Sequence, residues 1–376
     1  MQRWWRALVV LALVAVLAGC TPSEAAAPAT GWTPLPPSPL SARHSAVGAW
    51  VAGRFVVVGG SSGPICPASA SCAPPAQPSR SDGAALDPET KRWTRIADAP
   101  RPVDPVTDPV VVGGRVYLLT GGAGGADGPP TFLSYEVAAD TWATHPLPPD
   151  PDATLVAAGD RVLAVGSTEE RHKVSDSAFD PGTGRWTSLP PDPLSPSFDR
   201  EAVWLGDRLL LTGHALVADP GSAKPSLTRL AVLDAAFTRW TRQPDSDILG
   251  GGATPVADRV VFPMTGSADG GEVNGWGRTV PEGSILDPAS GSWDPLPSPP
   301  GRRSGLEGHQ ATVGRRTLVG GHLLEPSTRR WTTLPSAPWD DRLRGETVLS
   351  SPDLLLVWGG GTEGGGSVAD GYLLRP

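Results

Sequence analysis

The sequence predicts an all-β chain built from seven copies of one four-stranded antiparallel unit, and three observations lead there. An acidic residue is followed six positions later by Trp in Asp87 and Trp93, Glu136 and Trp142, Asp180 and Trp186, Asp234 and Trp240, Asp287 and Trp293, and Glu325 and Trp331. Upstream of each pair, two apolar runs rich in β-branched residues are joined by a tight turn, as in "AWVAGRFVVVGG" and "VVVGGRVYLLTGG". The 46 Gly and 43 Pro recur at intervals between short apolar runs, which favours many strands and turns over disorder.

Taken in order, strands a and b make the first hairpin of each unit. The a-b turns carry Arg54, Arg115, Arg161, Arg208, Arg259, Arg316 and Asp353. Strands c and d make the second hairpin, where "LDPETKRW", "FDPGTGRW" and "LDPASGSW" supply Asp-Pro and Gly or Ser as turn residues. The seventh a-b hairpin, "VLSSPDLLLVWGGG", is followed by strand c, "GYLLRP", with no strand d after it. Conversely, "GWTPLP" carries Trp32 with no strand c before it. Trp32 to Leu35 is therefore predicted to be the outer strand of the last unit, giving six contiguous units, one split unit and a closed ring. Closure removes the open-ended sheet stack of an unclosed array. Arg375 stands where the other units carry the acid, a departure expected where the chain is interrupted. The outer-strand Trp residues are predicted to pack between units rather than to serve as ligand platforms. "GGAGGADG" has no helix pattern after it and is not a phosphate cradle.

The double glycines Gly59-Gly60, Gly121-Gly122 and Gly320-Gly321, each followed by the hydrophobic-acid-Pro turn and Trp, resemble kelch repeats from Gly31 to Pro376. Successive Trp spacings straddle that family's period of roughly 50 residues. "LAVGST", "LLTGHA" and "PMTGSA" depart from it by keeping one glycine. The resemblance implies a seven-bladed kelch-type β-propeller of the galactose oxidase central-domain-like superfamily.

Residues 1–20, "MQRWWRALVVLALVAVLAGC", place Arg3 and Arg6 before an apolar run from Ala7 to Ala18 that is short for a bilayer span. This reads as a secretory signal peptide. Its close, Leu17-Ala18-Gly19-Cys20, resembles the lipobox of bacterial lipoproteins, which implies lipidation of Cys20 and tethering to the outer face of a bacterial cell membrane. Residues 21–30 are expected to be a flexible tether and 31–376 the propeller. Cys66 and Cys72 in "CPASASC" are expected to form a local disulfide, against the alternative of two free thiols. A net charge of -8 argues against a nucleic-acid partner and against polybasic membrane contact beyond the N-terminus.

In a ring of such units the a-b and c-d turns emerge on one face, and the b-c and d-a connections on the other. The a-b turns are uniformly tight and the b-c connections vary widely in length, so the working surface is predicted on the b-c and d-a face. Counting back from the a-b turns puts Val47, Asp108, Thr154, Glu201, Gly252, His309 and Glu346 at the starts of the inner strands. Three carboxylates and an imidazole there could hold a polyol or a cation, or act as acid and base. Arg43, His44, Asp199, Arg200, Arg302, Arg303, Arg342 and Arg344 lie just outside, suited to a carboxylate or sugar hydroxyls. The expected function is a carbohydrate- or protein-binding module, with no cofactor and no resident metal. The alternative is a carbohydrate-active enzyme, a sugar epimerase, lyase or sialidase-like hydrolase, on the same face. Galactose-oxidase-type copper chemistry is not expected, because Tyr117, Tyr135 and Tyr372 fall in predicted strands. Sialidase-like chemistry lacks a loop tyrosine beside the arginines.

Overall fold

The structure is a computed structural model that describes residues 31–65, 79–104, 108–121, 128–216, 227–246, 248, 250–263, 283–301, 305–306, 308–339, 343–363 and 365–376. Across these residues the chain is all-β, with seven four-stranded antiparallel sheets arranged as a seven-bladed β-propeller. After β1 (Thr33–Pro34), blade 1 is β2 (Val47–Val51), β3 (Arg54–Val58), β4 (Gly83–Asp87) and β5 (Arg92–Ile96). Blade 2 is β6 (Val110–Val112), β7 (Arg115–Thr120), β8 (Thr131–Glu136) and β9 (Thr141–His145), and blade 3 is β10 (Thr154–Ala158), β11 (Arg161–Val165), β12 (Ser177–Asp180) and β13 (Arg185–Ser188). Blade 4 is β14 (Ser197–Leu205), β15 (Arg208–Ala215), β16 (Arg229–Leu233) and β17 (Trp240–Arg242). Blade 5 is β18 (Thr254–Val256), β19 (Arg259–Phe262), β20 (Ser284–Asp287) and β21 (Ser292–Pro295), and blade 6 is β22 (Thr312–Val313), β23 (Arg316–Val319), β24 (His322–Glu325) and β25 (Arg330–Thr333). Blade 7 is β26 (Thr347–Ser350), β27 (Leu355–Trp358) and β28 (Gly371–Leu374), completed by β1.

The core lies between blades. Side chains alternate along a strand, so one strand serves two neighbours. In β3, Phe55 and Val57 pack with Leu356, Trp358 and Leu373 of blade 7, whereas Val56 packs with Val116 and Tyr135 of blade 2. The middle strands are buried on both faces and read as nearly unbroken apolar runs, while β5, β9 and β13 expose most residues except the Trp edge. A blade by itself would leave both faces wet, so the sheets are stable only as neighbours.

The outer-strand Trp residues do more than fill space. Nε1 of Trp142 donates to Ala97 O (2.8 Å), Trp186 to Pro146 O (2.8 Å), Trp240 to Pro190 O (2.9 Å) and Trp32 to Pro335 O (3.2 Å). In each case the acceptor lies four residues past the Trp of the preceding blade. One indole N–H thus staples each of these blades to the one before it, at a net value of about 1 kcal/mol per bond. Trp93 and Trp331 have their Nε1 atoms buried without a hydrogen-bond partner.

Ring closure follows the sequence expectation. β1 pairs antiparallel with β28, Thr33 opposite Leu373 and Pro34 opposite Tyr372. Trp32 packs edge-on against Trp339 at 4.8 Å. On the a-b face, the a-b turn residue meets the residue at the end of strand c: Arg115 with Glu136 (2.6 Å), Arg161 with Asp180 (3.0 Å) and Arg259 with Asp287 (3.1 Å). Blade 7 carries the same pair with its signs exchanged, Asp353 with Arg375. The departure at Arg375 is therefore a compensated swap rather than a by-product of chain interruption.

Glycine is required where strand b ends. Gly60 has φ of 86°, and a Cβ there would lie 2.7 Å from His44 O. Gly320 and Gly321, at φ of 53° and 79°, make the two-residue turn that joins β23 to β24.

Candidate functional site

The b-c and d-a face gathers polar groups of three kinds, which differ in how far their bonding capacity is already used. Arg43 is fully buried. Its guanidinium donates to both Asp82 oxygens (2.6 and 3.1 Å), to Gly59 O (3.1 Å), to Ser41 O (2.9 Å) and to Ser41 Oγ (2.9 Å). The hydrogen bonds from Arg43 hold the Asp82 carboxyl below the usual carboxylate range. Arg200 is likewise inaccessible: it bonds Gly166 O (2.9 Å), Asp176 (2.6 Å) and Asp192 (3.0 Å), with Glu169 at 3.6 Å. In both cases an arginine, Arg43 in the d-a connection before blade 1 and Arg200 near the start of β14, caps the glycine that follows strand b and the Asp that precedes strand c. These are structural clamps, and the expectation that Arg43 and Arg200 face a ligand is corrected by their burial.

Around Arg200, three carboxylates share one guanidinium. Asp176 is pushed up to about 6, mainly because burial disfavours its charge, with Asp192 and Glu169 adding to the rise against the opposing pull of Arg200 and the Gly166 N–H. Glu169 accepts from Ser195 Oγ (2.9 Å) and Ser197 N (2.8 Å), and Asp192 from Leu194 N (2.8 Å) and Ser195 N (3.1 Å).

Glu201 was expected to open an inner strand, but β14 extends back to Ser197 through an irregularity between Phe198 and Glu201, with Asp199 at φ of 46°. Its two carboxylate oxygens accept the backbone N–H groups of Gly252 and Ala253, each at 2.8 Å. The side chain therefore ties blade 4 to blade 5. Comparable ties join Thr254 Oγ1 to Gln310 Oε1 (3.0 Å) and Thr347 Oγ1 to Ala46 O (2.7 Å).

His309 and Glu346 are brought together: Nε2 lies 2.9 Å from Oε1, with the Glu346 side chain 5% exposed and its Oε2 buried without a partner. His309 lies three residues before β22 and is half-buried. Asp108 is exposed just before β6, and an open cavity of ≈ 590 Å³ between blades 1, 2, 6 and 7 runs from Asp108 and Gln310 to Gly314, Ser351 and Pro352 at the a-b turns of blades 6 and 7. His44 lies in an antiparallel bridge with Ser61, and Arg344 in one with Gly361, its Nη1 donating to Leu343 O (2.7 Å). Arg302, Arg303, Arg342, Cys20, Cys66 and Cys72 lie outside the described residues. Among the described residues, no cluster of three or more His, Cys, Asp or Glu is placed to hold a metal ion. Tyr117 and Tyr135 are buried within β7 and β8, and Tyr372 lies in β28.

Sequence reasoning missed the partners. Asp82 and Asp176 each follow a serine and directly precede strand c, in "SDGAALD" and "SDSAFD", a recurrence shared by the two clamped blades. Trp50 and Ser45 were also passed over.

No protein-family model matches the chain, and no curated protein matches it. Among solved structures, one titled "Structure of YjhT" aligns over 90% of this chain and 96% of that chain, at 15% identity and a TM-score of 0.46. Nothing about the chemistry of this chain follows from a likeness that distant, and the fold stands on its own strand pairing.

Proposed function

We propose that the chain is an extracytoplasmic binding module, tethered to a bacterial membrane through lipidated Cys20, whose b-c and d-a face takes a hydrogen-bonding ligand, a carbohydrate before a protein. The observation that carries this reading is the state of Glu201. A carboxylate with both oxygens filled by backbone N–H groups of the next blade is not free to cycle protons, which counts against the epimerase, lyase or sialidase-like alternative that draws on Glu201. What remains for a ligand is His309 with Glu346 and the exposed Asp108. The kelch-type assignment of the repeats rests on their glycine pairs and Trp spacing.

Topology supports an orientation. Strand d runs toward the b-c and d-a face, so Trp32, at the start of the outer strand β1, lies on the opposite side. The pairing of Thr33 with Leu373 and of Arg375 with Asp353 puts it beside an a-b turn. A tether leaving there turns the binding face away from the membrane. The test is a thermal-shift screen of soluble glycans on residues 31–376, comparing the native chain with His309→Ala and Asp108→Ala. A shift seen in the native chain and lost in both variants is expected. Glycan shifts that both variants retain in full remove the site.

A further inference from the structure

His44 and Ser45 form a second constellation on this face, and its geometry differs in kind from a binding surface. Ser45 Oγ lies 3.0 Å from His44 Nδ1, and His44 Nε2 lies 3.1 Å from Gly63 O. A carbonyl oxygen can only accept, so Nε2 of the neutral ring carries the proton and Nδ1 presents its lone pair. The Ser45 hydroxyl therefore donates to Nδ1, the arrangement in which an imidazole removes a proton from a serine nucleophile and a third group holds the ring in the required tautomer.

Two independent features accompany that contact. Ser45 is exposed, so an incoming reagent can reach Oγ. Its backbone also has φ of 54°, a left-handed conformation unusual for a residue with a Cβ. Such a conformation persists only where the surroundings over-determine it. Here they do: His44 exchanges both backbone hydrogen bonds with Ser61 (2.8 and 2.9 Å), and Ser45 N donates to Gly345 O at 2.6 Å. Gly345 leaves the hydroxyl room, since a Cβ there would approach Ser45 Oγ to 3.1 Å. The dyad is thus held by three segments: the d-a connection into blade 1, the loop after β3 and the segment before β26.

We propose that Ser45 is a nucleophile activated by His44 toward activated carboxylic esters and related acyl donors. In the first step Ser45 Oγ bonds to the acyl carbon and the ester C–O bond breaks. The serine proton passes to Nδ1 and from there to the departing alkoxide. In the second step water gives its proton to Nδ1, its oxygen bonds to the acyl carbon, and the Ser45 Oγ–acyl bond breaks, with the proton returning to Oγ. Between proton transfers the ring is an imidazolium, with Nε2–H still directed at the Gly63 carbonyl. That orienting group is neutral, so it stabilises the imidazolium less than a carboxylate would.

This inference is independent of the glycan reading, and either can fail alone. The test is reaction of folded residues 31–376 with a fluorophosphonate probe, with the modified peptide located by mass spectrometry, alongside hydrolysis of p-nitrophenyl acetate. The native chain is expected to label at Ser45, Ser45→Ala to lose that label, and His44→Gln to slow labelling by about a hundredfold, the range a positioned general base contributes. His44→Gln keeps an amide donor for Gly63 O, and its melting curve reports whether the fold survives. A folded native chain that is unlabelled at Ser45, or a folded His44→Gln chain that labels at the native rate, overturns the proposal.

Discussion

Asp176→Asn tests the energetics of the buried Arg200 cluster. The Asp176 carboxyl titrates at about 6 in the folded chain, against 3.8 for an unperturbed Asp, and its side chain is 10% exposed, so solvent screening is small. The folded pKa is the higher one, so the folded state binds this proton more tightly than the unfolded state does. The stability it contributes is complete below about pH 3.8, is lost as pH rises through about 6, and is absent above that. Between pH 7.5 and pH 5.0 this single group adds roughly 1 kcal/mol to the native chain, from 1.36 kcal/mol per pKa unit. Urea unfolding of the native chain and of Asp176→Asn at both values gives it as a double difference, which also carries the coupling of Asp176 to Asp192 and Glu169. The native chain should gain stability relative to the variant on acidification. A double difference of zero, or one in which the native chain loses ground as pH falls from 7.5 to 5.0, refutes the reasoning that burial outweighs the pull of Arg200.

Other expectations concern the scaffold. Trp186→Phe should cost about 1 kcal/mol more than Trp93→Phe in urea unfolding, because Trp186 Nε1 gives up its bond to Pro146 O whereas Trp93 Nε1 has none to lose. Reversing Arg375 to Glu should destabilise the chain slightly, and adding Asp353→Arg should recover the loss, with a double-mutant coupling below about 1 kcal/mol because both side chains are half exposed. Glu201→Gln can accept only one of the two N–H groups of Gly252 and Ala253, so its midpoint in urea should fall by the equivalent of about 1–3 kcal/mol.

The architecture was legible because it is periodic. Acid and Trp at constant spacing reported the c-d hairpin, and the unmatched "GWTPLP" and "GYLLRP" identified each other as halves of one sheet, as the pairing of Thr33 with Leu373 bears out. The site was legible only as a set of positions. His309 and Glu346 fell at adjoining blade starts and do meet. Arg43, Arg200 and Glu201 occupied the expected face but are spent inside it, since burial depends on partners that strand counting does not rank. Asp82 lies 39 residues from Arg43, and its one local mark, the Ser-Asp pair before strand c that it shares with Asp176, does not point to an arginine partner. The exchange of Asp353 and Arg375 could have been read from sequence, since both departures fall in the same unit. Ser45 carried no signal at all, because its left-handed backbone is imposed by Ser61 and Gly345 rather than by its own residue type.

Pairing Thr33 with Leu373 also sets a schedule for maturation. Contacts between residues so remote in sequence carry the largest loop-closure cost and tend to form last, so six sheets can assemble while the seventh stays incomplete. Until that clasp engages, β28 presents a bare strand and the indole of Trp32 has no pocket, and this is the interval in which the chain is most open to capture by a second molecule or by a protease.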